Sequence, residues 1–471
     1  MESREHSRAA GSTETAEWVE KLPRVLSKRR IPIFIFAFIG VLTVAGACFA
    51  AVTAVVLYRT AVHELTGEEE ADGPIALSGP LPNGMQSRLR PVADARRVFC
   101  IYNNRVSERQ PSVNYSVEDL KVHLCDDIVY GFVGLDGTST NIRSKHPKYD
   151  FLEEGLKRFV GLKRSKPEVN LWACLGGSVD DGPRFVALVK ERRTRVTFVR
   201  NSAEWLRRNA FQGLLIYWKY PSHEHRVNFT VLLADLRNSY ARDGLLVSVV
   251  LPINTRLRRD SYYVQSVYEN LDVVLVDGHR SVDPRHFPLV TCATPVRTLL
   301  RTWHQGQYGL MRVLDDLTLE TDDYRKTVLS VSFAGVSFTL RHKSLHRVGA
   351  AAAGPGAPGP RTNESGLLSY VEVQERIRNE GWKRAYHRYG HCPFARKELQ
   401  WVAYEDEESV ADKADLTSVC AGLAVWDTDM DDFAGVLGKP CPLLRKVHEV
   451  VHASASKRKS PGPPRSYRKF F

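Results

Sequence analysis

The pattern of apolar and polar positions divides the chain into stretches of different period. Residues 1–30 are polar, mixed in charge and poor in apolar side chains before Trp18, the composition of a flexible cytosolic tail. Residues 31–58, IPIFIFAFIGVLTVAGACFAAVTAVVLY, carry no charge. That run is longer than the roughly 20 residues that cross a bilayer, so it predicts a single transmembrane helix. Residues 59–96 are rich in Gly, Pro and acidic side chains with little periodicity and read as a stem. From Arg97 the pattern changes: short β-branched runs alternate with amphipathic helical stretches, as in a parallel sheet with crossover helices. Candidate strands are 98–102, 127–132, 170–175, 213–218, 245–251, 273–276, 327–333 and 422–426. This number and order predict an α/β fold closed as a (β/α)8 TIM barrel over residues 97–451.

Two stretches depart from that alternation. Residues 337–404 are too many for a simple strand-to-helix link. Part of that segment, AAAAGPGAPGPRTNES, is rich in Ala, Gly and Pro and reads as a mobile loop. After a final helix over 442–451, the basic, Pro-containing residues 452–471 read as a disordered tail.

Flanking charge sets the expected orientation of the apolar run. Arg24, Lys28, Arg29 and Arg30 precede it, whereas Glu64, Glu68, Glu69, Glu70 and Asp72 follow with only Arg59 close by. The amino terminus is therefore expected in the cytosol and the barrel outside or in the lumen, a single-pass type II arrangement. Sequons at Asn114, Asn228 and Asn363 all fall on the luminal side. The competing reading is a cleaved signal peptide ending near Ala47 or Ala50, which would make the protein secreted.

The formal net charge is +12 over 471 residues, which invites nucleic acid or acidic glycans as partners. Much of the excess lies beside the apolar run and in the last residues, so no nucleic-acid partner is inferred. The eight cysteines include Cys48 inside the apolar run, and none is spaced CxxC. This argues for oxidised pairs rather than zinc, and neither metal nor cofactor is expected.

The most informative stretch is 211–221, FQGLLIYWKYP, a short apolar run of buried-strand length. It resembles the fourth-strand signature FDGxDxDWEYP of family 18 glycoside hydrolases, the chitinases and chitinase-like lectins. Phe211, Gly213, Trp218, Tyr220 and Pro221 match, while Gln212, Leu215, Tyr217 and Lys219 replace all four acids. VFCIYNN, LCDDIVYGFVGLDG, NLWACLGG, KTVLSVSFAGVSFTL and GLAVWDTDMDDFAG extend the resemblance over about 97–451. The resemblance implies a Cys100–Cys125 disulfide, a small α+β insertion over 337–404 walling the groove, and Trp426 as the barrel-closing tryptophan.

It also implies a mechanism in which a glutamic acid protonates the glycosidic oxygen while an aspartate holds the substrate N-acetyl group. Lys219 stands at the proton donor and Tyr217 at the assisting aspartate, so these positions predict no hydrolysis and no catalytic residue. An ammonium with an ordinary pKa of about 10.4 is a poor acid at neutral pH.

Candidates for sugar contacts are Trp426, Trp218, Tyr217, Tyr220 and Asp277. Trp426 is the best surviving platform, and Trp218 reads more as core than as site. Other expected contacts are eroded: Asp277, His279 and Arg280 replace the sixth-strand Met, Tyr and Asp, Ala334 and Val336 replace Tyr and Arg, and Ser178 stands for a tryptophan. Asp277 and His279 with His223, Glu224 and His225 could supply acid, base or metal ligands, although a solvated loop is the plainer reading. Lys219 could pair with Asp277 across the former site. Three readings follow: a lectin for chitin or N-acetylglucosamine-containing glycans, a scaffold for an extracellular protein partner or growth-factor-like signalling, and an active glycosidase with rebuilt chemistry. The pairing of Cys174, Cys292, Cys392, Cys420 and Cys441 is open, and their odd number leaves at least one free or intermolecular.

Overall fold

A computed structural model describes residues 96–105, 114–279, 281–299 and 308–456. The expected cytosolic tail 1–30, the apolar run 31–58 and the expected stem up to residue 95 lie outside the described residues, as do residues 457–471 of the expected tail 452–471. Among the described residues no helix is long and apolar enough to cross a membrane.

The strands in chain order are β1 Arg97–Asn103, β2 Asp127–Leu135, β3 Ile142–Ser144, β4 Asn170–Gly176, β5 Gly213–Tyr217, β6 Leu246–Pro252, β7 Val273–Asp277, β8 Thr327–Ser332, β9 Gly335–Leu340, β10 Ala352–Pro355, β11 Leu367–Leu368, β12 Lys383–His387, β13 Cys392–Lys397, β14 Gln400–Ala403 and β15 Gly422–Trp426. The helices are α1 Gly155–Gly161, α2 Gly182–Lys190, α3 Arg192–Arg208, α4 Arg226–Asp243, α5 Thr255–Ser261, α6 Val264–Asn270, α7 Leu310–Glu320, α8 Tyr370–Asn379, α9 Glu407–Asp415 and α10 Pro442–Ser456.

The sheet runs β1-β15-β8-β7-β6-β5-β4-β2, and β1 also pairs with β2, so it closes into a parallel barrel. All the predicted strands are present, each within two or three residues of its expected ends. β3 adds to β2 as an antiparallel rim strand.

Strand parity sorts the side chains into two cores. In β5, Leu214 and Ile216 pack outward into the sheet–helix layer, while Leu215 and Tyr217 join Phe99, Trp172, Val250 and Trp426 inside the barrel. At the amino-terminal end of the strands Asp127 accepts hydrogen bonds from Arg97, from Asn170 at 3.2 Å and from Trp172 Nε1 at 2.7 Å. Burial pushes the Asp127 carboxyl up to about 6 against the pull of Arg97. Gly176, with φ +103°, lies where a Cβ would come 2.5 Å from the Tyr217 carbonyl oxygen. Only glycine lets β4 leave the barrel that close to β5.

The expected insertion is a second sheet, β10-β9-β14-β13-β12, with β11 also on β9. Its pairings are antiparallel, for example Trp401 opposite Phe338 in β14 and β9. α8 starts from a capping box in which Ser369 and Glu372 satisfy each other's backbone, and its Val373 packs with Leu368, Trp382 and Val402. The other side packs Phe338, Phe394 and Trp401 against Val282, Val290 and Ala293 of the β7–β8 connection. A Cys292–Cys392 disulfide staples that connection to β13.

Two expectations are corrected here. Residues 452–456, expected in the disordered tail, continue α10 to Ser456. The Ala/Gly/Pro stretch is not all loop, because Ala352–Pro355 forms β10 against β9, with a register shift between Ala352 and Gly354. Small side chains let the two backbones pair where Ser337 and Phe338 leave little room: a Cβ at Gly356 would lie 2.5 Å from Ser337 Oγ.

Candidate functional site

The carboxyl ends of the barrel strands, where ligands of this architecture bind, bring together Tyr217 from β5, Asp277 from β7, His279 just after it, Ser330 from β8 and Trp426 from β15. All five are buried, Tyr217 to 1% exposure and Trp426 to 5%. The Tyr217 hydroxyl donates to Asp277 Oδ2, and Tyr220 donates to the same oxygen at 2.9 Å. His279 Nδ1 lies 3.3 Å from Asp277 Oδ1 and 2.9 Å from Ser330 Oγ. Ser330 gives its own proton to the Val276 carbonyl at 2.7 Å, so the imidazole is the donor toward it. Both contacts use the same ring nitrogen, so the trio is not a Ser–His–Asp relay, which needs opposite nitrogens.

His279 then lies flat on Trp426, with ring centroids 3.8 Å apart and planes 19° apart. Phe132 stacks on the same indole at 6.0 Å and Tyr217 meets it at 5.6 Å. The platform expected to carry a sugar is covered by the protein's own side chains, and the indole Nε1–H is buried without a partner.

The electrostatics follow. Burial pushes the Asp277 carboxyl up, but His279, Lys219 and the two tyrosine hydroxyls outweigh it and hold the group below the usual carboxylate range. Burial and the neighbouring Asp277 push the Tyr217 hydroxyl well above its ordinary value. The Asp277 carboxylate is thus ionised at neutral pH, and the two hydroxyls that donate to it, Tyr217 and Tyr220, are neutral phenols.

Lys219 does not form the expected ion pair with Asp277. Its Nζ lies over the Tyr217 ring, 4.5 Å from the centroid, because the phenol stands between ammonium and carboxylate and takes both. Gln212 sits before β5, bridging to Leu171 and Ala210 of neighbouring backbone, and Leu215 is core inside the barrel. Trp218 is removed from the sugar candidates. It follows Tyr217 with opposite parity, faces the helical layer and stacks on Phe185 at 5.3 Å and edge-on to Phe229 at 5.6 Å.

Arg280 lies outside the described residues. His223, Glu224 and His225 form a surface turn before α4, with His225 bound to Ser222, and do not reach Asp277 as ligands. Among the described residues no group of three or more His, Cys, Asp or Glu is gathered as for a metal ion. The Cys100–Cys125 disulfide is formed, and Cys174, Cys420 and Cys441 are free and buried. Asn114 and Asn363 are exposed, and Asn228 is half-buried in the first turn of α4.

The barrel, its insertion and the order of its motifs agree with the comparisons. The profile of glycosyl hydrolases family 18 matches residues 97–431. The chain belongs to that family. It is 29% identical to an endochitinase of Manduca sexta, over 76% of this chain and 68% of the relative. It is 26% identical to human chitinase-3-like protein 2, over 75% of this chain and 92% of the relative. Among solved structures, human YKL-39, described as a pseudo-chitinase with retained chitooligosaccharide binding, superposes with a TM-score of 0.70 at 25% identity, covering 76% of this chain and all of that one. An Ostrinia furnacalis group IV chitinase with allosamidin gives a TM-score of 0.72 at 24% identity, over 76% of this chain and 99% of that chain, a likeness of fold.

The covering of Trp426 escaped the sequence reading. His279 was visible as a departure from the sixth-strand motif, but its distance to β15 depends on barrel closure, and no local pattern encodes that.

Proposed function

We propose that this protein is a hydrolytically inactive chitinase-like protein, anchored as a type II membrane protein with its barrel outside the cell or in the lumen, and that the barrel serves as a scaffold for an extracellular protein partner. The single observation that carries this reading is the stack of His279 on Trp426, which fills the floor a pyranose would use.

Chemistry agrees with it. A glycosidase needs a protonated acid beside the scissile oxygen. Lys219 stands at that position, and the Asp277 carboxylate in the same cluster is held ionised and capped by two phenols. A fixed ammonium there would also oppose the positive charge that develops on the sugar in the transition state. Placement outside the cytosol is supported by the uncharged run 31–58, by the flanking charges and by two disulfides, which persist in oxidising compartments.

A second reading, capture of chitooligosaccharide without cleavage, is favoured by one specific feature. The buried Trp426 Nε1–H lacks an acceptor, and a sugar hydroxyl would supply one. The description of YKL-39 as a pseudo-chitinase that retains chitooligosaccharide binding supports the same reading.

The test is a hydrolysis assay on chitohexaose with the full-length chain in detergent, run beside calorimetry on the same sample. No turnover and no heat of binding is the expected result. Binding without turnover would favour the second reading, and turnover would overturn both.

A further inference from the structure

A small pocket of about 120 Å³ lies where the insertion meets the loop after β15. Arg361, Thr362 and Val371 line it from the insertion, and Met430, Phe433 and Val436 from the loop. A third wall is Asn114, from the connection between β1 and β2.

Asn114 is exposed and opens the sequon Asn114-Tyr115-Ser116. The two residues after it fix its position. Tyr115 is buried and meets the Phe433 ring edge-on at 4.9 Å. Ser116 closes a capping box with Asp119, its backbone N–H and its hydroxyl each donating to Asp119 Oδ2 at 2.8 Å. The glycosylation site is therefore held against the pocket.

The lining selects an uncharged occupant. The Arg361 guanidinium is paired with Glu375 at 3.1 Å. Asp431 and Asp432 border the pocket too, but their carboxyl oxygens accept from the backbone N–H groups of Leu444, at 3.0 Å, and of Val436 and Leu437, at 2.8 Å. With those charges satisfied, the open surface is apolar: Phe433 is half-buried and Val436 is 53% exposed. An N-acetylated sugar presents a methyl group and the CH face of its ring to such a wall and keeps its hydroxyls for the rim. The volume, space for several waters, suits one sugar and not a chain of them. A sugar joined to Asn114 is present at high effective concentration, so weak contacts keep it seated.

We infer that Asn114 carries an N-linked oligosaccharide whose first N-acetylglucosamine packs in this pocket and ties the β1–β2 connection to the insertion and to the loop after β15. The donor is a polyprenyl-diphosphate-linked oligosaccharide. A bond forms between Asn114 Nδ2 and the anomeric carbon, the bond from that carbon to the diphosphate oxygen breaks with its electron pair, and the amide loses one proton. The inference rests on the luminal placement proposed above. Asn363 is an internal control, because it is exposed and follows Thr362 but does not itself line the pocket.

The test uses the full-length chain from a eukaryotic secretory host that leaves high-mannose glycans, purified in detergent. Peptide mapping by mass spectrometry is expected to find glycan at both Asn114 and Asn363. On the native protein, peptide N-glycosidase is expected to release the Asn363 glycan at least about tenfold faster than the Asn114 glycan, and denaturation is expected to abolish the difference. Endoglycosidase H leaves the first sugar attached and is expected to leave the midpoint of thermal unfolding unchanged. Asn114→Gln is expected to lower that midpoint by about 2 °C or more, and Asn363→Gln by less than about 1 °C. Hydrogen exchange in residues 361–371 and 429–436 is expected to quicken in Asn114→Gln alone.

Glycan at Asn363 with none at Asn114 overturns the inference and leaves the luminal placement standing. Glycan at none of Asn114, Asn228 and Asn363 contradicts the placement itself, and the inference falls with it. Equal native release from Asn114 and Asn363, or an Asn114→Gln midpoint equal to that of wild type, overturns the packed sugar. Should Asn114→Gln fail to fold, the native release rates on wild type decide the matter.

Discussion

At the scale of residues, the strand that carries the family signature keeps its frame because the frame is packing. Trp218 sits between Phe185 and Phe229 at 2% exposure, and its carbonyl accepts from the Tyr262 hydroxyl at 3.4 Å. Trp218→Ala is expected to destabilise the barrel by about 3–5 kcal/mol in urea unfolding, the range for truncating a buried aromatic. The acidic positions of the signature, by contrast, are replaced as a set by Gln212, Leu215, Tyr217 and Lys219. Lys219→Glu restores an acid at the donor position but leaves Tyr217 on Asp277 and His279 on Trp426. It is therefore expected to show no turnover of a fluorogenic chitooligosaccharide above background, and measurable turnover would show that the missing glutamate was the whole defect. Matching motif letters identified these residues, but letters alone did not give the direction of their side chains. Tyr217 and Trp218 are adjacent, and strand parity sends one to the barrel axis and the other to the helices.

At the scale of elements, the barrel was legible because buried parallel strands are near-continuous apolar runs, and β5 with Leu214, Leu215 and Ile216 shows why. The insertion was harder to read. β10 is built of Ala, Gly and Pro, residues that carry no strand pattern, and it forms only because β9 offers an edge. The Cys292–Cys392 link was also hidden, since pairing depends on how the β7–β8 connection crosses the second sheet. That link joins residues 100 apart in sequence. Cys292→Ser/Cys392→Ser is expected to cost up to about 4.7 kcal/mol, the chain-entropy value for such a loop. Limited proteolysis checks the result: cleavage should begin in the β7–β8 connection or the second sheet while β1 to β6 stay protected. Early cleavage within the barrel strands would show that the staple does not act locally.

At the scale of the whole molecule, the ionisation of buried carboxyls sets the pH dependence of stability. Burial pushes the Asp431 carboxyl up to about 7, although the backbone N–H groups of Leu443, Leu444 and Asp432 pull it down. A folded pKa above the ordinary value of about 3.9 means that the folded chain holds the proton more tightly. Its contribution is present below about pH 4 and is lost as pH rises through about 7. The midpoint of thermal unfolding should fall between about pH 4.5 and 7.5 from this group, and Asp431→Asn should flatten that part of the profile. Asp277 works in the opposite sense, because its depressed carboxyl stabilises above the ordinary range and loses that contribution as pH falls through its folded value. An unchanged slope in Asp431→Asn would contradict the assignment to Asp431.

The stack of His279 on Trp426 joins all three scales: one imidazole, placed by the end of one barrel strand, lies flat on the tryptophan of another at the barrel mouth. The most direct measurement is calorimetry of chitohexaose against the full-length wild type and His279→Ala, with thermal unfolding as a control for folding. No detectable binding by wild type and a clear gain in His279→Ala is the outcome that a self-filled site predicts. Equal, strong binding by both proteins would contradict it, because the sugar would then be reaching the platform with the imidazole still in place.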